Sequence, residues 1–181
     1  MKKSILIMFG IIGSALLFVT ALAFGINNRA ISLEEQIGSA EAQINVAEKR
    51  RVDLVYNLVD TVIAYQEYEG DTMIAVTEAR ASAKSGDADG AMTVVNAVSE
   101  QYPELKANEN YQQLMTELAL TENSIAQYRN SYNEQVRAYN KFVRKFPNGL
   151  ILSILGYSPI EATYTDYEAP EDAPTDLFGG E

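Results

Sequence analysis

An apolar stretch opens the chain, and periodic patterns follow it. Residues 4–26 carry no charge, and the runs 5–9 and 16–19 together with Phe24 make the stretch strongly apolar. A helix rises ~1.5 Å per residue, so about 20 such residues cross the ~30 Å hydrocarbon layer of a bilayer. Residues 1–26 therefore read as a membrane anchor. The competing reading is a cleaved secretory signal, with Lys2 and Lys3 as its basic start and Ala21-Leu22-Ala23 as its cleavage pattern. Because the run is longer than a usual signal core and helical sequence follows soon after it, the segment is expected to stay on the mature chain. Lys2 and Lys3 precede it, while Arg29 is soon followed by Glu34 and Glu35. The positive-inside rule then expects a cytoplasmic N-terminus and an outward-facing body.

Past Asn27-Asn28, Ser32-Leu33-Glu34-Glu35 has the form of a capping box, where a helix could start afresh or run on from the membrane. Apolar residues then recur in steps of four and three at Leu33, Ile37, Ala40, Ile44 and Ala47, and again at Leu54, Leu58, Val62 and Tyr65. This is a coiled-coil-like helical seam, interrupted where Arg51 takes a seam position. Asp71 is expected to cap a helix through Met73, Ile74, Val76 and Ala79 to about Ala83. Residues 84–90 read as a loop, and a short helix through Met92, Val95 and Val98 ends near Tyr102-Pro103. Asn108 is expected to cap a last helix of about 40 residues, or ~60 Å. Its seam runs Tyr111, Leu114, Leu118, Thr121, Ile125, Tyr128, Tyr132, Val136, Tyr139, Val143 and Phe146, until Pro147-Asn148-Gly149 stops it.

Neither long helix can bury its stripe alone, so antiparallel packing of the two is expected, with the middle helices filling out a bundle. No segment alternates with a period of two. The expected fold is all-α, an N-terminal transmembrane helix followed by an antiparallel bundle of long helices, with the bundle over residues 27–157 and an acidic, disordered tail over residues 158–181.

Composition removes whole classes of chemistry. The 181 residues include no Cys and no His. Disulfides, thiol nucleophiles, the usual zinc, haem and iron–sulfur ligands and the commonest general base are thereby excluded. A formal charge of -11 argues against nucleic-acid binding, which needs a basic face. About half of that charge belongs to the tail, where Asp166, Glu168, Glu171, Asp172, Asp176 and Glu181 occur without Lys or Arg. A ferritin-like metal site needs His, and the seams supply no facing acids for an all-carboxylate one. No G-x-S-x-G, S-x-x-K or Gly-rich phosphate loop occurs. No catalytic activity and no cofactor are expected.

The stretch Asn45-Val46-Ala47-Glu48-Lys49-Arg50-Arg51 through Asp53-Leu54-Val55-Tyr56-Asn57-Leu58-Val59 to Val62, followed by Glu78-Ala79-Arg80, resembles the first conserved block of the LemA family. Tyr102-Pro103-Glu104-Leu105-Lys106-Ala107, Thr121-Glu122-Asn123-Ser124-Ile125-Ala126, Arg129, Tyr132-Asn133, Tyr139-Asn140 and Phe146-Pro147 resemble its second block in order and spacing. The resemblance runs from about Asn27 to Tyr157. It implies a short apolar N-terminus followed by a helical bundle, and it implies no particular activity. The chain departs from the family pattern at Glu41, where Trp is usual, at Tyr56, where Pro is usual, and at Tyr68-Glu69, in place of His-Glu. Loss of the Pro favours a straighter first helix.

Polar residues beside the seams are the candidate site. Glu122, Arg129, Asn133 and Asn140 fall within about 40° of one another on the last helix. Arg50, Asp53, Asn57 and Thr61 form a similar line on the first. These lines are expected to flank the core and pair across it, with Arg50 or Arg51 neutralised by Glu122 or another acid of the last helix. A ligand cleft between the helices is the alternative. Arg137, Lys141, Arg144 and Lys145 gather positive charge at a helix C-terminus, ahead of the apolar run 150–155. That combination could lie on anionic lipid, with Lys141, Arg144 and Lys145 as membrane-surface residues, or the run could close the base of the bundle. The expected function is a membrane-anchored scaffold whose partners are the lipid bilayer and other proteins, with homo-oligomerisation left open. A sensor using the polar cleft is the alternative.

Overall fold

Helix α1 (Lys2–Ala64) is a single helix of 63 residues, about 95 Å long at ~1.5 Å per residue. It passes through Asn27-Asn28 and the Ser32 box without a break, so the helix runs on from the apolar segment. Ser32 does not cap; instead its carbonyl and Oγ accept from Gln36 Nε2 at 3.0 and 3.2 Å. The computed structural model describes residues 2–64 and 70–161. Tyr65, Tyr68-Glu69 and the acidic residues from Asp166 onward lie outside the described residues. Among those described, the remaining elements are α2 (Gly70–Ser85), α3 (Ala88–Gln101), α4 (Pro103–Lys106), α5 (Glu109–Arg144) and α6 (Asn148–Ile154). The chain is all-α, a candidate membrane helix followed by a bundle.

Two hydrophobic cores hold α1 against α5, and their pairings make the two helices antiparallel. The core near the apolar segment joins Ile26, Ala30, Leu33, Ile37, Ala40 and Ile44 to Tyr132, Val136, Tyr139, Val143 and Leu152. The distal core joins Leu54, Val55, Leu58, Val59 and Val62 to Tyr111, Leu118 and the inner faces of α2 and α3. The two differ in stripe width for a physical reason. Near the apolar segment α1 has mainly α5 to pack against, and the narrow seam in steps of four and three suffices. Farther out it meets α2, α3 and α5, so Val55 and Val59, both fully buried, widen the stripe beyond the expected seam.

The expected loop at 84–90 is shorter than its composition suggests. Gly86, with φ +95, ends α2 in a Schellman turn, in which Gly86 N donates to Ala83 O at 3.1 Å and Asp87 N to Ser82 O at 3.0 Å. Asp87 then caps α3 by accepting from Gly90 N at 2.9 Å, which makes Ala88, Asp89 and Gly90 the first turn of a helix. Asp71 is not a cap, because α2 already begins at Gly70; it lies in the first turn, where the helix dipole favours an acid. Val76, Ala79 and Ala83 are buried, and Ile74 is exposed.

Asn108 caps α5 as expected, its Oδ1 accepting from Asn110 N at 3.0 Å and Tyr111 N at 3.2 Å. Helix α5 ends at Arg144, so Phe146 falls off the seam and is 80% exposed. Asn148 and Gly149 begin α6 instead of a loop. A second Schellman turn at Gly156, φ +87, sends Tyr157 N to Leu152 O at 2.9 Å and brings the Tyr157 hydroxyl to Asn27 Oδ1 at 2.9 Å. The end of the bundle is thereby tied to the point where α1 leaves its apolar segment.

Candidate functional site

Between the two cores α1 and α5 are held by charge. Arg51 donates from Nε to Glu122 on α5 and from its terminal nitrogen to Asp89 on α3. Arg129 donates to Glu48 at 2.9 Å, and Arg50 lies 3.4 Å from Glu117. Arg51, at its seam position, is thus paired with Glu122 as expected. Asp89 is a partner that the sequence hid, because its stretch reads as a loop. Burial works against the Arg51 charge, but the hydrogen bond to Asp89 and the fields of Glu122 and Asp89 prevail and raise its pKa. The pair is only half-buried, with side chains 26% exposed at Arg51 and 39% at Glu122.

The polar line on α1 does not cross the core as expected. Asn57 and Asp53 are exposed, Asp53 lies 3.5 Å from Lys49 on its own helix, and the Thr61 hydroxyl donates to Asn57 O at 2.9 Å. Of that line only Arg50 reaches α5. Tyr56 meets α2: the Arg80 guanidinium sits 5.6 Å over its ring, places Nε 2.8 Å from Asp60 Oδ1 and donates from its terminal nitrogen to Asp60 Oδ2 at 3.4 Å.

On α5 the same line divides by height. Asn133 is buried between the helices. Asn140 clamps the chain's own later segment, accepting from Ile160 N and donating to Ile160 O, both at 2.8 Å. The Tyr139 hydroxyl stands 3.2 Å from Glu34 Oε1 and 3.1 Å from Ser158 O, sharing its proton between them. Burial first, then the Glu34 carboxylate, pushes its pKa up to about 12. Residues 158–160 are therefore docked along α5 near the apolar segment, three residues past the expected end of the bundle.

Arg137, Lys141, Arg144 and Lys145 are exposed around the C-terminal end of α5. Phe142, half-buried among them, shares a shallow apolar groove of about 400 Å³ with Phe18, Leu22, Gly25, Ile26 and Arg29 of α1. The end of α5 thus returns level with the last turns of the apolar segment. In α6 the two readings of run 150–155 divide by face. Leu152 is fully buried in the core, whereas Leu150 and Ile154 on the opposite side are 62% and 79% exposed.

The largest cleft near the candidate residues is an open groove of about 470 Å³ between α1 and α5. Ser39, Gln43, Val46, Arg50, Glu117, Leu120 and Tyr128 line it, and Glu122, Arg129 and Asn133 do not. Among the described residues no three acids gather closely enough to hold a metal ion.

A family model described as the LemA family matches residues 40–177. The chain belongs to the LemA family. The LemA match begins inside α1, so the apolar segment precedes it. Among relatives, Protein LemA of Metamycoplasma hominis is 28% identical over 134 residues, covering 67% of this chain and 61% of that one. Magnetosome protein MamQ of Magnetospirillum gryphiswaldense is 32% identical over 65 residues, 36% of this chain and 24% of its own length. Magnetosome protein MamQ 1 of Paramagnetospirillum magneticum is 33% identical over 78 residues, 43% of this chain and 28% of its own. The chain therefore spans less than two thirds of the length of each of these bacterial relatives. None of their names denotes an enzyme.

Proposed function

We propose that this LemA-family chain is a non-catalytic, membrane-anchored scaffold that carries its distal end away from the bilayer toward protein partners. The observation that supports this reading best is the continuity of α1, which is one helix from the apolar segment to the distal core. Past residue 26 it extends for 38 residues, roughly 57 Å, braced along that length by α5. Paired charges support it too: Arg51 with Glu122 and Arg129 with Glu48 satisfy one another and leave no charged cleft for a ligand at those positions. The N-terminus is cytoplasmic on the charge bias of its flanks, and the bundle faces outward.

Residues 158–160 dock beside α5 near the membrane side, and the distal surface is that of α2 to α4. A photo-crosslinking residue substituted for Ile74 or Glu104 in the native membrane is expected to give discrete protein adducts, and one substituted for Leu120 is not. The open groove favours a second reading, a sensor that binds a small molecule between α1 and α5. Adducts confined to the Leu120 position, or a metabolite that copurifies with the chain and is lost on Tyr128→Ala, would replace the scaffold with that sensor.

A further inference from the structure

The membrane-side end of the bundle carries an apolar face that no other described residue covers. Leu152 turns into the core, and the opposite side of α6 exposes Leu150 and Ile154, which lie 40° apart at ~100° per residue. Phe146 just before α6 and Leu155 just after it are exposed as well. Lys141, Arg144 and Lys145 stand exposed immediately before this face. Its height along α1 is set by contacts on both sides. Leu152 shares a core with Ile26 and Ala30, Tyr157 bonds Asn27, and Phe142 shares a groove with Phe18, Leu22 and Ile26. Those α1 residues are the last turns of the uncharged run and the first turn past it. If α1 spans the bilayer, α6 is level with the headgroups, and the exposed apolar surface of α1, at Phe18, Leu22 and Phe24, continues into the groove that Phe142 lines.

We propose that α6 with the end of α5 is a lipid-binding foot, seated in the headgroup region of the same membrane. Phe146, Leu150 and Ile154 enter the acyl boundary, and Lys141, Arg144 and Lys145 bind the phosphates of anionic lipids. This inference rests on the anchored reading of α1. The lipid is favoured over a second copy of the chain because the face adjoins the membrane segment and because a basic cluster complements anionic lipid and repels its own copy. Seating the foot would hold the bundle at a set tilt to the bilayer, where a bare α1 would leave it free to swing.

The chain has no Trp, so a single introduced indole reports its own surroundings. The full chain is reconstituted into vesicles of phosphatidylcholine with or without phosphatidylglycerol, and quenching by bromine-labelled lipid is read for Ile154→Trp, Leu17→Trp and Ile74→Trp. Leu17→Trp is expected to be quenched by deeply labelled lipid, Ile154→Trp by shallowly labelled lipid and more strongly with phosphatidylglycerol, and Ile74→Trp by neither. Changing Lys141, Arg144 and Lys145 to Gln in the Ile154→Trp chain should lower the ratio of docked to undocked foot by about a hundredfold, as three lost basic contacts imply. Quenching at position 17 without quenching at 154, or quenching at 154 indifferent to lipid charge and to the triple change, overturns the foot and leaves the anchor standing. A blue-shifted indole at 154 that lipid cannot quench would mean that a second copy covers the face, and it too overturns the proposal. Absence of quenching at 17 defeats the anchored reading itself.

Discussion

Arg51 occupies a position that the α1 seam would otherwise give to an apolar residue, and the fold accommodates its charge by setting two acids from different helices around it. Had the pair been fully buried, loss of one partner would cost ~3–5 kcal/mol. With both side chains partly solvated, the cost should be nearer ~1 kcal/mol. Glu122→Ala is therefore expected to lower the melting temperature by a few degrees, and Glu134→Ala, at an exposed position, to leave it nearly unchanged; denaturation followed by circular dichroism checks both. Tyr139 gives a pH signature. Its folded pKa of about 12 lies above the ordinary value of 10.0, because burial and the Glu34 charge disfavour the phenolate. The folded state then holds the proton more tightly than the unfolded chain. That contribution is complete below pH ~10 and is lost as the pH rises through ~12, on the order of 2 kcal/mol in all. Urea titrations should show stability falling across that window, less steeply in Tyr139→Phe, which should also be weaker at neutral pH through loss of the bonds to Glu34 and Ser158.

At the scale of elements, the pattern of α1 carried more information than its seam alone. A stripe that widens from one residue per turn to adjacent pairs, as at Leu54-Val55 and Leu58-Val59, marks the place where a helix gains further neighbours. α6 shows the reverse case, a short apolar run whose two faces have different fates. Leu152→Ala should destabilise the bundle by about 2–5 kcal/mol, because a fully buried side chain leaves a cavity behind. Ile154→Ala should change the melting temperature of the detergent-solubilised chain by little, since its side chain meets solvent there. Equal losses for the two would mean that both faces of α6 are packed. The turn before α3 was hidden in the stretch 84–90, because a Schellman turn and a cap use the same Gly and Asp residues that a longer loop does.

For the whole molecule, the continuity of α1 ties topology to function. Edman sequencing of the membrane-bound protein is expected to find the apolar segment retained, and a mature chain starting at Phe24 would contradict the anchor. Protease added outside cells with a permeabilised outer envelope should digest the bundle if it faces outward. A protected bundle would put it on the cytoplasmic side. The basic end of α5 and the segment 158–160 lie at the end of the bundle next to the apolar segment, and α2 to α4 lie at the far end.

The sequence by itself determined that the chain is helical, that it begins with a segment long and apolar enough to span a bilayer, and that its two long helices pair antiparallel. Each of these follows from local periodicity and from the need to bury a stripe, which neighbouring residues along one helix declare together. It also marked Arg51 as a charge in need of a partner and Asn108 as a cap, since both are judged within a turn or two of helix. Only the tertiary structure decided that Asp89 would join Glu122 at Arg51, that Asn57 would be exposed, that Asn140 would clamp Ile160, and that Leu150 and Ile154 would be exposed among the described residues. Those outcomes depend on the relative rotation and height of helices distant in sequence, and rotation and height are set by the packing of the two cores as a whole, which no single stretch of residues contains.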